Sequence, residues 1–165
     1  MVTSPSIALL TVSDSRTIAT DKSGQYLADQ VTAAGYALAD RAIVPDDIYQ
    51  IRAIVSRWIA DPQVQVIITT GGTGITGRDV TPEAVRVLLD KELTGFGELF
   101  RWLSYAEIKT ATLQSRALGG VANGTYIFCL PGSSGACRLG WTQVIAPQLD
   151  AEPLSCNLTK LLPRL

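Results

Sequence analysis

The chain contains no histidine. That absence removes Ser-His-Asp and Cys-His catalysis and every metal site built on imidazole. The three cysteines, Cys129, Cys137 and Cys156, show no C-x-x-C spacing, which argues against a structural zinc or a disulfide framework. Cys129 lies in an apolar run and reads as a core residue. No apolar stretch reaches membrane-spanning length, and the start of the chain lacks a basic region followed by an apolar one. The expectation is a cytoplasmic protein with no membrane partner. A formal net charge of −1 gives no electrostatic case for nucleic acid. Any metal is expected to be a hard cation held by oxygen, with Mg²⁺ the default beside phosphates.

What is present is 165 residues with 47% apolar and 18% charged side chains. These totals suit one domain spanning residues 1–165, large enough for a full core. Residues 1–5 read as a polar arm. Residues 147–165 read as a Pro- and polar-rich tail that wraps the surface or a neighbouring subunit.

The stretch Thr69-Thr70-Gly71-Gly72-Thr73-Gly74-Ile75-Thr76-Gly77-Arg78-Asp79-Val80-Thr81 carries the strongest functional signal. It follows an apolar run, residues 64–68, that reads as a buried strand. It precedes Thr81-Pro82-Glu83, which reads as a helix start with Thr81 as N-cap. Strand, glycine-rich turn and helix together build anion sites from backbone amides. Gly72, Gly74 and Gly77 spell G-x-G-x-x-G, but the helix opens too late for a dinucleotide fingerprint. The same glycines have Walker A spacing, yet Arg78-Asp79 stand where Lys and Ser/Thr belong. A plain connection with no ligand is the bland alternative.

Other strand ends repeat the pattern. Residues 7–12 read as a strand ending in Ser13-Asp14-Ser15, either a ligand-lining turn or one that satisfies its own backbone. A helix capped by Asp21 or Ser23 follows, then a strand over 36–44. Pro45-Asp46-Asp47 then ends that strand and caps the next helix; either aspartate could also reach a ligand on the same side of the sheet. Asp90-Lys91-Glu92 reads as solvated surface. Gly95-Phe96-Gly97-Glu98 interrupts a helical pattern that Phe96, Leu99, Phe100 and Leu103 resume, a face suited to core or subunit interface. Asn123-Gly124 signals a hairpin into a strand over 126–130. That strand ends in Pro131-Gly132-Ser133-Ser134, a second Gly/Ser turn before a helix, and two such turns on one sheet edge would converge.

Several of these segments, in order, resemble the MoaB/Mog family of molybdenum-cofactor biosynthesis proteins, related to the gephyrin G domain. They are residues 69–74, Arg78-Asp79-Val80-Thr81-Pro82-Glu83-Ala84, Gly95-Phe96-Gly97-Glu98 and Pro131-Gly132-Ser133. The flanks Ser23-Gly24-x-Tyr26-Leu27, Thr112-Leu113-Gln114-Ser115-Arg116-Ala117 and Ala136-Cys137-Arg138 are similar to the MoaB branch, as is Ile145-Ala146-Pro147-Gln148-Leu149-Asp150. The resemblance covers nearly the whole chain. It implies a three-layer α/β/α molybdopterin-binding fold with a mostly parallel sheet. It implies a homotrimer or homohexamer, and a molybdenum-insertion protein as pathway partner. It implies Mg²⁺-dependent adenylylation of molybdopterin, in which the pterin's terminal phosphate attacks the α-phosphate of ATP and pyrophosphate leaves.

By that resemblance Asp79 serves the chemistry, with Asp46 or Asp47 as a second carboxylate, and Asp79 and Asp46 hold the metal. Ser13, Asp14, Ser15, Thr70, Gly71, Gly72, Thr73, Gly74, Thr81, Ser115, Pro131, Gly132, Ser133 and Ser134 line the substrate site. Backbone amides of 71–74 and 132–134 would face developing phosphate charge. A non-catalytic pterin-binding or scaffold protein of the same pathway is the alternative function. A nicotinamide oxidoreductase rests on the glycine spacing alone.

Overall fold

A single strand shows why the chain forms layers. In β1 (Ser6–Val12) Ile7 and Leu9 pack into one core, while Ala8, Leu10 and Val12 pack into another. Both faces of this strand are therefore covered, as the unbroken apolar run requires. The computed structural model describes residues 4–150 and 156–165. Its sheet has six strands in the order β2-β1-β3-β6-β5-β4. The strands are β1, β2 (Ala37–Val44), β3 (Val66–Thr70), β4 (Lys91–Glu92), β5 (Leu118–Ala122) and β6 (Thr125–Leu130). β2, β1, β3 and β6 run parallel; β5 is antiparallel to both β6 and β4.

Helices α1 (Lys22–Ala33), α4 (Thr94–Ile108) and α5 (Ser134–Gly140) bury Leu27, Val31, Phe96, Phe100 and Cys137 on the face of Ile7 and Leu9. A π turn (Trp141–Ile145) leads from α5 into α6 (Ala146–Leu149). Helices α2 (Ile48–Ile59) and α3 (Thr81–Arg86) bury Ile51, Val55, Trp58, Ala84 and Val85 on the other face. This is a three-layer α/β/α sandwich with the apolar mass divided by the sheet.

Three local readings need correction. Thr81 is not the N-cap of α3 but its first helical residue, after Val80. Its buried hydroxyl donates instead to the carbonyl of Gly71 at 2.8 Å. Gly95-Phe96-Gly97-Glu98 does not break a helix, because α4 starts at Thr94 and runs through it. A Cβ at Gly97 would lie 2.6 Å from the Ala117 carbonyl oxygen, so glycine there permits close helix–strand packing. Asp90, Lys91 and Glu92 are exposed as read, and Lys91 and Glu92 also pair as the short edge strand β4 against β5. The third strand begins two residues later than its apolar run suggests, although Val64 is still buried.

Residues 1–3 and 151–155 of the expected arm and tail lie outside the described residues. Beyond the second gap, α7 (Leu158–Leu161) packs back on the molecule: Leu158 joins the α1/α4 core and its carbonyl accepts from Tyr126 Oη at 3.0 Å.

Candidate functional site

The parallel strands all end on one edge, and β1 sits where the strand order reverses, between β2 and β3. A crevice opens at such a point. Into it run the turns after β1, β2, β3 and β6, carrying Ser13-Asp14, Pro45-Asp46, Gly71-Gly72 and Pro131-Gly132.

The turn after β3 is fixed by conformation and contact. Gly71 and Gly72 have φ of +102° and +66°, values that disfavour any side chain. A Cβ on Gly71 would collide with the Val12 carbonyl oxygen, and one on Gly72 with Thr81 Oγ1. The Gly71 amide donates to Leu130 O at 3.0 Å, tying this turn to the end of β6. That amide is therefore not available to an anion, contrary to the sequence expectation. Among the described residues no acceptor meets the amides of Gly72, Thr73, Gly132, Ser133 or Ser134. The two turns touch directly: a Cβ on Gly132 would lie 3.2 Å from Gly71 Cα. Thr70 Oγ1 donates to Pro131 O at 3.1 Å, and Ser23 Oγ to Gly132 O at 2.8 Å.

Two recesses flank this junction and share Gly71, Gly132 and Ser133 as a common wall. The first, about 200 Å³, is lined by Ser13, Arg16, Lys22, Ser23, Thr70 and Ser134. The second, about 400 Å³, is lined by Gly72, Thr73, Gly74, Asp79, Pro131 and Ser115 on one side and by Phe100, Ser104 and Ile108 of α4 on the other. Ser115 Oγ is buried with no hydrogen-bond partner among the described residues. It also borders a third cavity of about 470 Å³ that reaches Arg86, Arg101 and the start of α4.

The acidic residues divide by role. Asp47 caps α2, its Oδ1 accepting from the amides of Tyr49 at 3.0 Å and Gln50 at 2.9 Å. That job turns it to the helix and away from the site. Asp46 faces inward: its carboxylate stands against Gly72 and feels the charges of Asp14 and Asp79. Burial first, then those two charges, push its carboxyl above the usual range. Asp79 Oδ2 accepts from the Thr76 hydroxyl at 2.6 Å and amide at 2.9 Å. Burial opposes its charge, but the Thr76 and Gly74 hydrogen bonds and the nearby Arg116 hold it below the usual range. Asp14 is bonded bidentately by Arg78, at 2.9 and 2.7 Å, and accepts from the Asp46 amide at 3.1 Å. The Arg78 hydrogen bonds hold its carboxyl low. Ser15 is exposed and lines neither recess.

Asp46 and Asp79 offer a hard-oxygen donor pair. No group of three or more His, Cys, Asp or Glu among the described residues is arranged to hold a metal alone. Two carboxylates fit an ion that takes its remaining ligands from phosphate and water, the usual mode for Mg²⁺.

One participant escaped the sequence reading. Arg116 sends its guanidinium to the carbonyls of Gly74 at 2.7 Å and Asp79 at 2.8 Å, and pairs with Glu83. Only its place in the Ser115-Arg116 segment hinted at this, because the partners lie far back in the chain.

Residues 8–151 match the family described as "Probable molybdopterin binding domain". Molybdenum cofactor biosynthesis protein B of Escherichia coli K12 is 56% identical over 92% of this chain and 89% of its own length. A crystal structure of a molybdenum cofactor biosynthesis protein B superposes with a TM-score of 0.91 at 43% identity, covering 100% of this chain and 99% of that one. The tungsten cofactor synthesizing protein MoaB from Pyrococcus furiosus gives 0.80 at 35% identity, over 88% and 92% of the two chains.

Proposed function

The chain belongs to the molybdopterin-binding domain family, in its MoaB/Mog group, and from that premise we propose that it binds molybdopterin and ATP and transfers AMP to the pterin's terminal phosphate. One observation carries the reading. Two glycine turns from strands β3 and β6 meet at Gly71 and Gly132, with Asp79 lining the larger recess and the Asp46 carboxylate against Gly72. This sets unpaired backbone amides beside carboxylates in one crevice.

Nucleotidyl transfer asks a protein mainly for in-line positioning and for neutralisation of charge on the leaving pyrophosphate. Free amides at Gly72, Thr73 and 132–134 supply fixed dipoles. The hydroxyls of Ser13 and Ser133 and the cations Arg16 and Lys22 suit a polyphosphate in the smaller recess. The larger recess, with Phe100, Ser104 and Ser115, suits a flat heteroaromatic. Asp46 and Asp79 would hold Mg²⁺, which when bound offsets phosphate charge. A phosphate nucleophile needs no general base, consistent with a chain that has no histidine.

A second reading, pterin binding without transfer, is favoured by the engagement of Asp79 Oδ2 with Thr76. Incubation with molybdopterin, ATP and Mg²⁺, scored for AMP-pterin and pyrophosphate, decides between them. Stoichiometric pyrophosphate supports transfer; tight pterin binding with none supports the alternative.

A further inference from the structure

We infer that Arg116 is a positioning residue for Asp79, holding the loop that presents this carboxylate to the larger recess. The inference rests on the AMP-transfer reading. Arg116 lies between α4 and β5, 37 residues after Asp79. Its backbone amide donates to Thr73 O at 3.1 Å. Its Nε donates to Gly74 O at 2.7 Å and its Nη2 to Asp79 O at 2.8 Å. Its remaining arm, Nη1, is braced by the Glu83 carboxylate on α3. One residue therefore grips the loop 73–79 at both ends.

The loop has little else to hold it. Residues 75–78 are exposed, Ile75 to 68%. The bonds between Thr76 and Asp79 are internal to the loop. The Arg78–Asp14 pair is itself at the surface, where ion pairs hold weakly. A planar guanidinium can span two carbonyls and a carboxylate at once; an ammonium cannot reproduce that fork. Arg116 does not itself line the larger recess, so the arrangement fixes where the Asp79 carboxylate stands from behind the loop.

The test uses full-length Arg116→Met, Arg116→Lys and Glu83→Gln, compared in AMP transfer and in amide hydrogen exchange. Arg116→Met is expected to lose about 10- to 100-fold in kcat, the cost of misplacing a group by about an ångström. KM for ATP should stay within about threefold, because the group lost acts on positioning and not on substrate binding. Exchange should accelerate over residues 73–80 while β3 stays protected. Arg116→Lys should not restore the rate, because an ammonium cannot reproduce the guanidinium fork. Wild-type kcat in Arg116→Met, or a loss confined to KM, overturns the inference. If the Arg116 variants do not fold, Glu83→Gln decides. A several-fold kcat loss with faster loop exchange supports the brace, and no change in either overturns it. Absence of AMP transfer in the wild type refutes the functional reading instead, and the exchange data then judge the grip separately.

Discussion

Asp46 and Asp79 share a crevice but have opposite electrostatic settings. Asp46 is pushed up by burial and by its acidic neighbours, so its folded form binds a proton more readily than the unfolded chain. Stability therefore falls as pH rises from the ordinary carboxylate value of 3.8 through its higher folded value. Asp46→Asn should raise Tm at neutral pH, modestly because solvent screens a partly exposed group, while lowering metal-dependent turnover. A calorimetric scan beside the transfer assay checks both, and a lower Tm would contradict the assignment. Asp79 behaves in the opposite sense: hydrogen bonds overcome burial and depress it. Its contribution is present above 3.8 and is lost as pH falls through the lower folded value. Asp79→Asn keeps an acceptor for Thr76 and should fold normally, yet lose about two orders of magnitude in kcat, about 3 kcal/mol. The sequence placed both aspartates near the crevice. It could not separate Asp46 from Asp47, because either can cap a helix in Pro-Asp-Asp; only the backbone direction sends Asp47 to Tyr49 and Gln50.

At the level of elements, the turn after β3 depends on positions no side chain can enter. Gly71→Ala forces φ +102° on an L-residue and drives its Cβ into the Val12 carbonyl. Strain alone is worth about 1–3 kcal/mol, so Tm should drop by several degrees with turnover abolished; thermal melts and the transfer assay report each. Thr81→Val removes one buried hydrogen bond, the one to Gly71 O, and should cost about 1 kcal/mol. The strand–turn–helix units were legible because β-branched runs, glycines and Pro82 signal locally. The role of Thr81 was hidden, since its partner lies ten residues back across a turn. The start of α4 was hidden for a related reason: Gly97 is required by the strand beside it and not by its own helix. Arg116 was missed altogether, because its carbonyl partners lie 37 and 42 residues away and carry no side-chain signature.

For the whole molecule, α4 carries a row of exposed apolar side chains. Leu99, Trp102 and Tyr105 are 41%, 73% and 53% exposed at three-residue spacing, with Leu113 beyond them at 81%. Large apolar side chains grouped this way mark contact surfaces. The family resemblance implies a homotrimer or homohexamer, and we propose that this face joins its copies. Trp102→Glu should then shift the light-scattering mass to that of a monomer, and an unchanged mass would place the contact elsewhere. The opposite face of α4 lines the larger recess, so the same helix would serve both assembly and site. The abutment of Gly71 on Gly132 has a thermodynamic consequence. The two residues stand 61 positions apart and meet only where β3 and β6 are paired, so the pocket is complete only with the middle of the sheet. Whatever lodges there senses the integrity of the middle of the sheet, and its occupancy should protect the entire chain cooperatively against denaturant.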